Sequence, residues 1–200
     1  MSPTSPDMPP ERGARLDLLL RGSLTEPDGG VASSCSLIRE GDRAIVVDPG
    51  MARGPKAILD PLRAFGLGAG DVTDVVVSHH HPDHTINVGL FPNAAVHDFW
   101  ATYRGTVWED ADADRRELTP SVRLLRVPGH TTEDIATVVG TLEGIVVLTH
   151  LWWTAEGPAD DPVAEDPAGV HAGRARVLAI ADRIVPGHGP AFTPSDSTPR

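Results

Sequence analysis

Short apolar runs that each end in a histidine-bearing turn constrain this chain more than any other feature of its 200 residues. DVVV (74–77) runs into HHHPDH (79–84), VRLLRV (122–127) into PGHTTED (128–134), and RIVP (183–186) into the GHG at 187–189. A fourth run, GIVVLT (144–149), ends on His150. The end of a strand is where a rigid sheet can aim a side chain and a loop can admit solvent. Core packing gives no reason for histidines at four such ends, because burying uncompensated imidazoles is costly. Metal binding does give one, since imidazole nitrogen is the favoured neutral ligand of zinc and similar ions, with carboxylate oxygen next.

The remaining runs set the fold class. LDLLL (16–20), CSLIR (35–39), RAIVVD (43–48), AAVHDF (94–99) and DIATVV (134–139) read as further strands, with GD at 41–42 and TLEG at 141–144 as turns. PKAILDPLRAF (55–65) has apolar residues at helical spacing (Ile58, Leu59, Leu62, Phe65) and GLG closing it, although Pro61 inside it warns of a kink or an early stop. A second helix is expected across roughly 168–181. Strands in both halves with helices at fixed points suggest a layered α/β protein, two sheets face to face with helices outside. The expected division is a disordered tail at 1–13, one domain at 14–192 and a flexible tail at 193–200.

Composition narrows the function classes. Lys and Arg total 17 against 28 Asp and Glu, for a formal net charge of -11, which disfavours broad binding of a phosphate backbone without excluding nucleic acid. The single cysteine, Cys35, rules out an internal disulfide and a cysteine-based zinc knot, and its strand setting makes it a small core residue. No stretch approaches the roughly 20 apolar residues of a membrane span, and the opening MSPTSPDMPPERG lacks a signal peptide's apolar segment. A cytoplasmic protein without membrane contact is expected, its oligomeric state open.

His79-x-His81-x-Asp83-His84, followed by His130 in PGHT and His188 in PGHG, resembles the metallo-β-lactamase superfamily. The likeness runs from Asp48 in VVDPG to Gly189, and NVGLFPNA (87–94), EDPA (165–168) and IVPGHGPAF (184–192) are further similar to the group around metallo-β-lactamase domain-containing protein 1. The resemblance implies a four-layer αββα sandwich. It also implies one metal on His79, His81 and His130 and a second on Asp83, His84 and His188, with Asp48 orienting ligands from behind. The ions would be zinc, one or two, with iron or manganese equally suited to such ligands.

The chain departs from the family at one position. Most hydrolases of the superfamily place an aspartate that bridges both metals after the strand that here ends at Thr149, and this chain has His150. A carboxylate gives one oxygen to each ion, whereas a neutral imidazole donates to one. With His150 as the replacing ligand, the site is one charge more positive and favours an anionic small-molecule substrate. The implied chemistry is attack by a metal-bound hydroxide on a small acyl (thio)ester or lactone, with Asp83 and His150 as the catalytic candidates. The alternatives are a nuclease or phosphodiesterase of the domain-containing protein 1 type, or a metal-binding module without catalysis. His80, His97 and His171 read as non-ligands, Asp134 as a solvated turn residue rather than a carboxylate supplied near the site, and Trp152 and Trp153 as packing residues rather than a grip on substrate. The acidic stretch at 154–167 reads as either a groove rim or a surface loop.

Overall fold

The computed structural model describes residues 13–24 and 30–200. Apart from Gly13, the tail expected at 1–13 lies outside the described residues. β1 (Arg15–Leu20) is followed by a short ribbon of β2 (Ser23–Leu24) and β3 (Val31–Ala32), then by the hairpin of β4 (Cys35–Glu40) and β5 (Arg43–Val47). That hairpin turns at Gly41, whose φ of 58° carries no steric penalty for glycine. Helix α1 (Lys56–Ala64), β6 (Asp74–Val76), the one-turn α2 (Pro82–Thr85), β7 (Ala95–His97), β8 (Ala101–Arg104) and β9 (Val107–Asp110) come next. The second half holds β10 (Glu117–Thr119), β11 (Val122–Arg126), β12 (Ile135–Thr141), β13 (Gly144–Thr149), α3 (Pro167–Leu178) and β14 (Arg183–Pro186). Seven strands form one sheet in the order β1-β4-β5-β6-β7-β8-β9, and five form the other in the order β10-β11-β12-β13-β14.

Side-chain alternation produces the layers. Ile45 and Val47 of β5 meet Leu124, Ile135 and Leu148 between the sheets, while Ala44 and Val46 pack with Ile58 and Leu62 of α1 on the other face. In β13, Val146 and Leu148 point inward, and Ile145 and Val147 pack with Val170 and Val177 of α3. Strands buried on both faces have no polar side to show, so they read as unbroken apolar runs. Each fully buried Leu or Ile here stabilises the fold by roughly 1.5–3 kcal/mol. Helix, sheet, sheet and helix thus stack in order, and the expected αββα sandwich stands.

Two parallel pairs decide where the site lies. β5 and β6 run parallel with Val47 opposite Val76, and β13 and β14 run parallel with Thr149 opposite Pro186. Parallel neighbours finish at the same edge. Asp48 therefore emerges beside Ser78, and His150 beside Gly187 and His188.

Four details differ from the sequence reading. Pro61 does not end α1, whose buried Ile58 and Leu62 hold it on the sheet. The β8–β9 hairpin and the three-residue β10 were not foreseen; all four residues of the edge strand β9 are exposed and carry no inside–outside pattern. The segment expected as a flexible C-terminal tail is docked instead. Trp152 Nε1 donates to Pro199 O at 2.8 Å, His171 Nδ1 donates to Arg200 O at 2.7 Å, and Thr198 is buried.

Candidate metal centre

The HHHPDH turn divides its side chains between two directions. His79 is buried while His81 remains exposed, and His79 Nε2 lies 3.1 Å from His81 Nδ1. His80 points away, with Nε2 3.1 Å from Asp98 Oδ2 and its ring beside Trp100. Pro82 then opens α2, its fixed φ suiting the first helical position, and the turn brings Asp83 and His84 to the neighbouring lobe. A Cβ on Gly50 would overlap the Asp83 carbonyl, which is why a glycine faces this turn. Asp48 adopts a left-handed φ of 50°, uncommon for a residue with a side chain. Its carboxylate accepts from Ser78 N at 2.7 Å and from His84 Nδ1 at 2.9 Å, which fixes the turn from behind.

The three later histidines arrive from the other sheet. His130 Nε2 stands 3.2 Å from His81 Nδ1, completing one lobe with His79. In the second lobe, Asp83 Oδ2 lies 3.3 Å from His84 Nε2 and 3.7 Å from His188 Nε2. His150 stands between the two. As a neutral ring with one lone pair it can join either His79 and His130 or His84 and His188, each trio having ligand atoms within 4.8 Å of one another. His150 Nε2 is 3.0 Å from His188 Nε2, and its ring occupies the space that a Cβ on Gly187 would fill.

These donors fit a metal ion. His84, His130 and His188 each give Nδ1–H to an acceptor, namely Asp48, Asp161 Oδ2 at 2.7 Å and Ala32 O at 2.9 Å. That fixes the tautomer and turns the Nε2 lone pair inward. Separations of 3.1 and 3.2 Å in the first lobe are close to the ~3.3 Å edge of a tetrahedral zinc site with Zn–N bonds of about 2.0–2.1 Å. His84 Nε2 and His150 Nδ1 are buried without a hydrogen bond. His84 Nε2 faces the Asp83 carboxylate at 3.3 Å, and the remaining rings turn lone pairs on one another with no donor between them, an arrangement that a cation would complete.

The Metallo-beta-lactamase superfamily model matches residues 28–191. The chain belongs to the metallo-β-lactamase superfamily. Its members are metal-dependent hydrolases, and the expectation of a hydrolase stands with the family. The human metallo-beta-lactamase domain-containing protein 1 is 37% identical over 174 residues, a match spanning 83% of this chain and 65% of that protein. The solved structure of a metallo-beta-lactamase-like protein from Thermotoga maritima superposes with a TM-score of 0.72 at 20% identity, covering 92% of this chain and 100% of that one. An N-acyl homoserine lactone hydrolase with product bound at its catalytic metal centre superposes at 0.63 and 19% identity, over 91% and 94% of the two chains.

Electrostatics separate the rings of this superfamily centre. Burial, then the neighbouring rings, holds His79 and His150 well below the ordinary histidine range, so both stay neutral with a lone pair to give. Burial also lowers His130 and His188, outweighing Asp161 and the Ala32 carbonyl. At His84 burial acts downward, but Asp48 and Asp83 outweigh it and push the ring up to about 9. Positive charge is thus favoured where His84 Nε2 meets Asp83.

Sequence reasoning missed Asp161 and preferred the wrong one of two readings for Asp134. Asp134, read as a solvated turn residue, is buried, because its carboxylate caps Thr131 N at 2.8 Å and Oγ1 at 2.9 Å; Oδ1 also lies 3.6 Å from His79 Nδ1. Burial pushes that carboxyl up to about 7. Thr131 three residues before it was a local signal for this turn. Asp161 behind His130 had none. Trp152 is a packing residue as expected, but half-buried Trp153 sits with its ring 6.3 Å from His130 and 6.4 Å from His150. Of the histidines read as non-ligands, His97 is satisfied by Asp74 and Thr102, and His171 lies on α3 with its Nδ1 bonded to Arg200 O.

Proposed function

We propose that this chain hydrolyses a small acyl substrate, an ester, thioester or lactone, at a metal centre held by His79, His81 and His130 on one side and Asp83, His84 and His188 on the other, with neutral His150 between them giving its one lone pair to one of the two ions. The observation that carries the reading is the inward convergence of tethered imidazoles on two trios of ligand atoms, with His150 Nδ1 buried and without a hydrogen bond among them. Divalent ions bound there would supply Lewis acidity and make water a competent nucleophile near neutral pH.

The chain's own residues divide the remaining work. Asp48 and Asp161 hold the rings of His84 and His130, and Asp134 lies behind His79. Asp83 is only 16% exposed at its side chain, and burial is outweighed by His84 and His188, so its carboxyl stays below the ordinary range and ionised at neutral pH. Its Oδ2 faces His84 and His188 and would hold an ion, and the carboxylate is the group that could additionally receive a proton. A neutral His150 where the family carries a carboxylate leaves the centre one charge more positive, which supports an anionic substrate. The net charge of -11 opposes a long polyanion. The lactone hydrolase neighbour shows that the fold accommodates such acyl chemistry without naming this chain's substrate.

The test is metal analysis joined to a substrate panel. The chain is loaded with zinc, manganese or iron and assayed on thioester, ester, lactone and phosphodiester substrates. Turnover of an acyl substrate by protein carrying one or two ions supports the reading. Turnover of phosphodiesters alone replaces it with the nuclease reading, and metal binding without turnover leaves a binding module.

A further inference from the structure

The acidic stretch from Trp153 to Asp166 is tied to the site at both ends. At its start, His188 N donates to Trp153 O at 2.7 Å. At its end, Glu165 N donates to His130 O at 3.1 Å and Asp166 N to Gly129 O at 2.9 Å, while Thr132 N donates to the Glu165 carboxylate at 2.8 Å. In the middle, buried Asp161 accepts through one oxygen from both His130 Nδ1 (2.7 Å) and Trp153 Nε1 (3.3 Å). Its other oxygen accepts from Val163 N at 3.0 Å. Fully buried Arg174 of α3 fastens the same segment from below, donating to Leu151 O at 2.9 Å, to Pro158 O at 2.7 Å and to Ala159 O. One loop therefore touches the turns of His130 and His188, which come from different strands.

We propose that Asp161 is a positioning residue that couples this loop to the metal centre. It fixes the ring and tautomer of His130, and an ion held by His130 in turn fixes the loop. The inference rests on the metal-centre reading above. Asp161 is shielded from water, so deleting its carboxylate strands the Nδ1–H of His130 in a buried site and frees the ring to rotate. Coupling of this kind is reciprocal: whatever factor the closed loop adds to ion affinity, the ion adds to loop closure. The signature is metal-dependent protection of a segment that supplies no ligand.

The experiment compares wild type with Asp161→Ala, Asp161→Asn and, as control, Asp160→Ala, whose side chain is 94% exposed. Zinc affinity is read by chelator competition, and amide hydrogen exchange across residues 153–163 with and without zinc. Asp161→Ala is expected to weaken zinc binding roughly 10- to 100-fold and to abolish zinc-dependent protection of the loop. Asp161→Asn, whose carbonyl still accepts from Nδ1, falls between Ala and wild type, and Asp160→Ala matches wild type. Wild-type affinity in Asp161→Ala, or an Asn variant no better than Ala, overturns the proposal. Should the Ala variant not fold, wild type decides alone: protection of 153–163 by zinc supports the coupling, and unchanged exchange overturns it. A wild-type chain that binds no zinc, iron or manganese overturns the metal-centre reading, and this inference with it.

Discussion

His97 and His150 are both buried at the ends of strands, 3% and 5% exposed, one in each sheet. At His97 both ring nitrogens are spent: Nε2 lies 2.8 Å from Asp74 Oδ1 and Nδ1 3.0 Å from Thr102 Oγ1. Asp74 is further held by Arg43 at 2.6 Å and by Thr73. At His150 one nitrogen has no partner and the other faces a second imidazole. A satisfied buried histidine ties strands together, and an unsatisfied one among other lone pairs waits for a cation. Burial alone does not tell the two apart; the fate of each nitrogen does.

The largest effect that would break this contrast is in the cage. His150→Ala is expected to lower zinc affinity more than 100-fold, beyond the tenfold to hundredfold usual for residues behind the ligands. Unfolding midpoints of the zinc-free protein should fall less than for His97→Ala, because only the His188 contact and the buried ring volume are lost. An unchanged zinc affinity would put His150 in the same structural class as His97. The reverse pattern is expected at the other node. His97→Ala should cost about 2–4 kcal/mol in denaturant unfolding, from a lost buried network and the space left behind, with zinc stoichiometry unchanged. Asp48→Ala tests the residue behind the cage: a tenfold to hundredfold loss of metal affinity is expected in a competition titration.

The smallest effect is acid sensitivity of the His97 node. Burial acts to raise the Asp74 carboxyl, but hydrogen bonds from His97, Thr73 and Arg43 outweigh it and hold it below the ordinary carboxylate range. A lowered folded-state value means the stabilisation is present above the unfolded carboxylate range and is lost as pH falls through the folded value. Asp74→Asn should therefore flatten the acid limb of the stability profile measured by thermal unfolding. An acid limb unchanged by the substitution would remove Asp74 as its source.

Much of the fold was legible because its cues are local. β4, β5, β6, β11, β12, β13 and β14 were each announced by an apolar run, and the turns between them by glycine or by the histidine motifs. β9 was not, because an exposed edge strand needs backbone pairing and no inward side chains. HxHxDH with His130 and His188 was legible as a set, since its spacing is a sequence property. Asp161 lies 31 residues from the ring it holds, and no local pattern links the two.

The sequence by itself determined the inventory: which strands can bury both faces, where they must end, and which nitrogens and carboxylates are carried at those ends. Side-chain period and turn chemistry act over a few residues, so they can be read along the chain. Only the tertiary structure decided which ends meet. Parallel pairing of β5 with β6 and of β13 with β14 brought Asp48 behind His84 and placed His150 between the two lobes. It also left Asp134 and Asp161 buried behind the rings. Whether a histidine's nitrogens are satisfied depends on neighbours tens of residues away, and only packing supplies those.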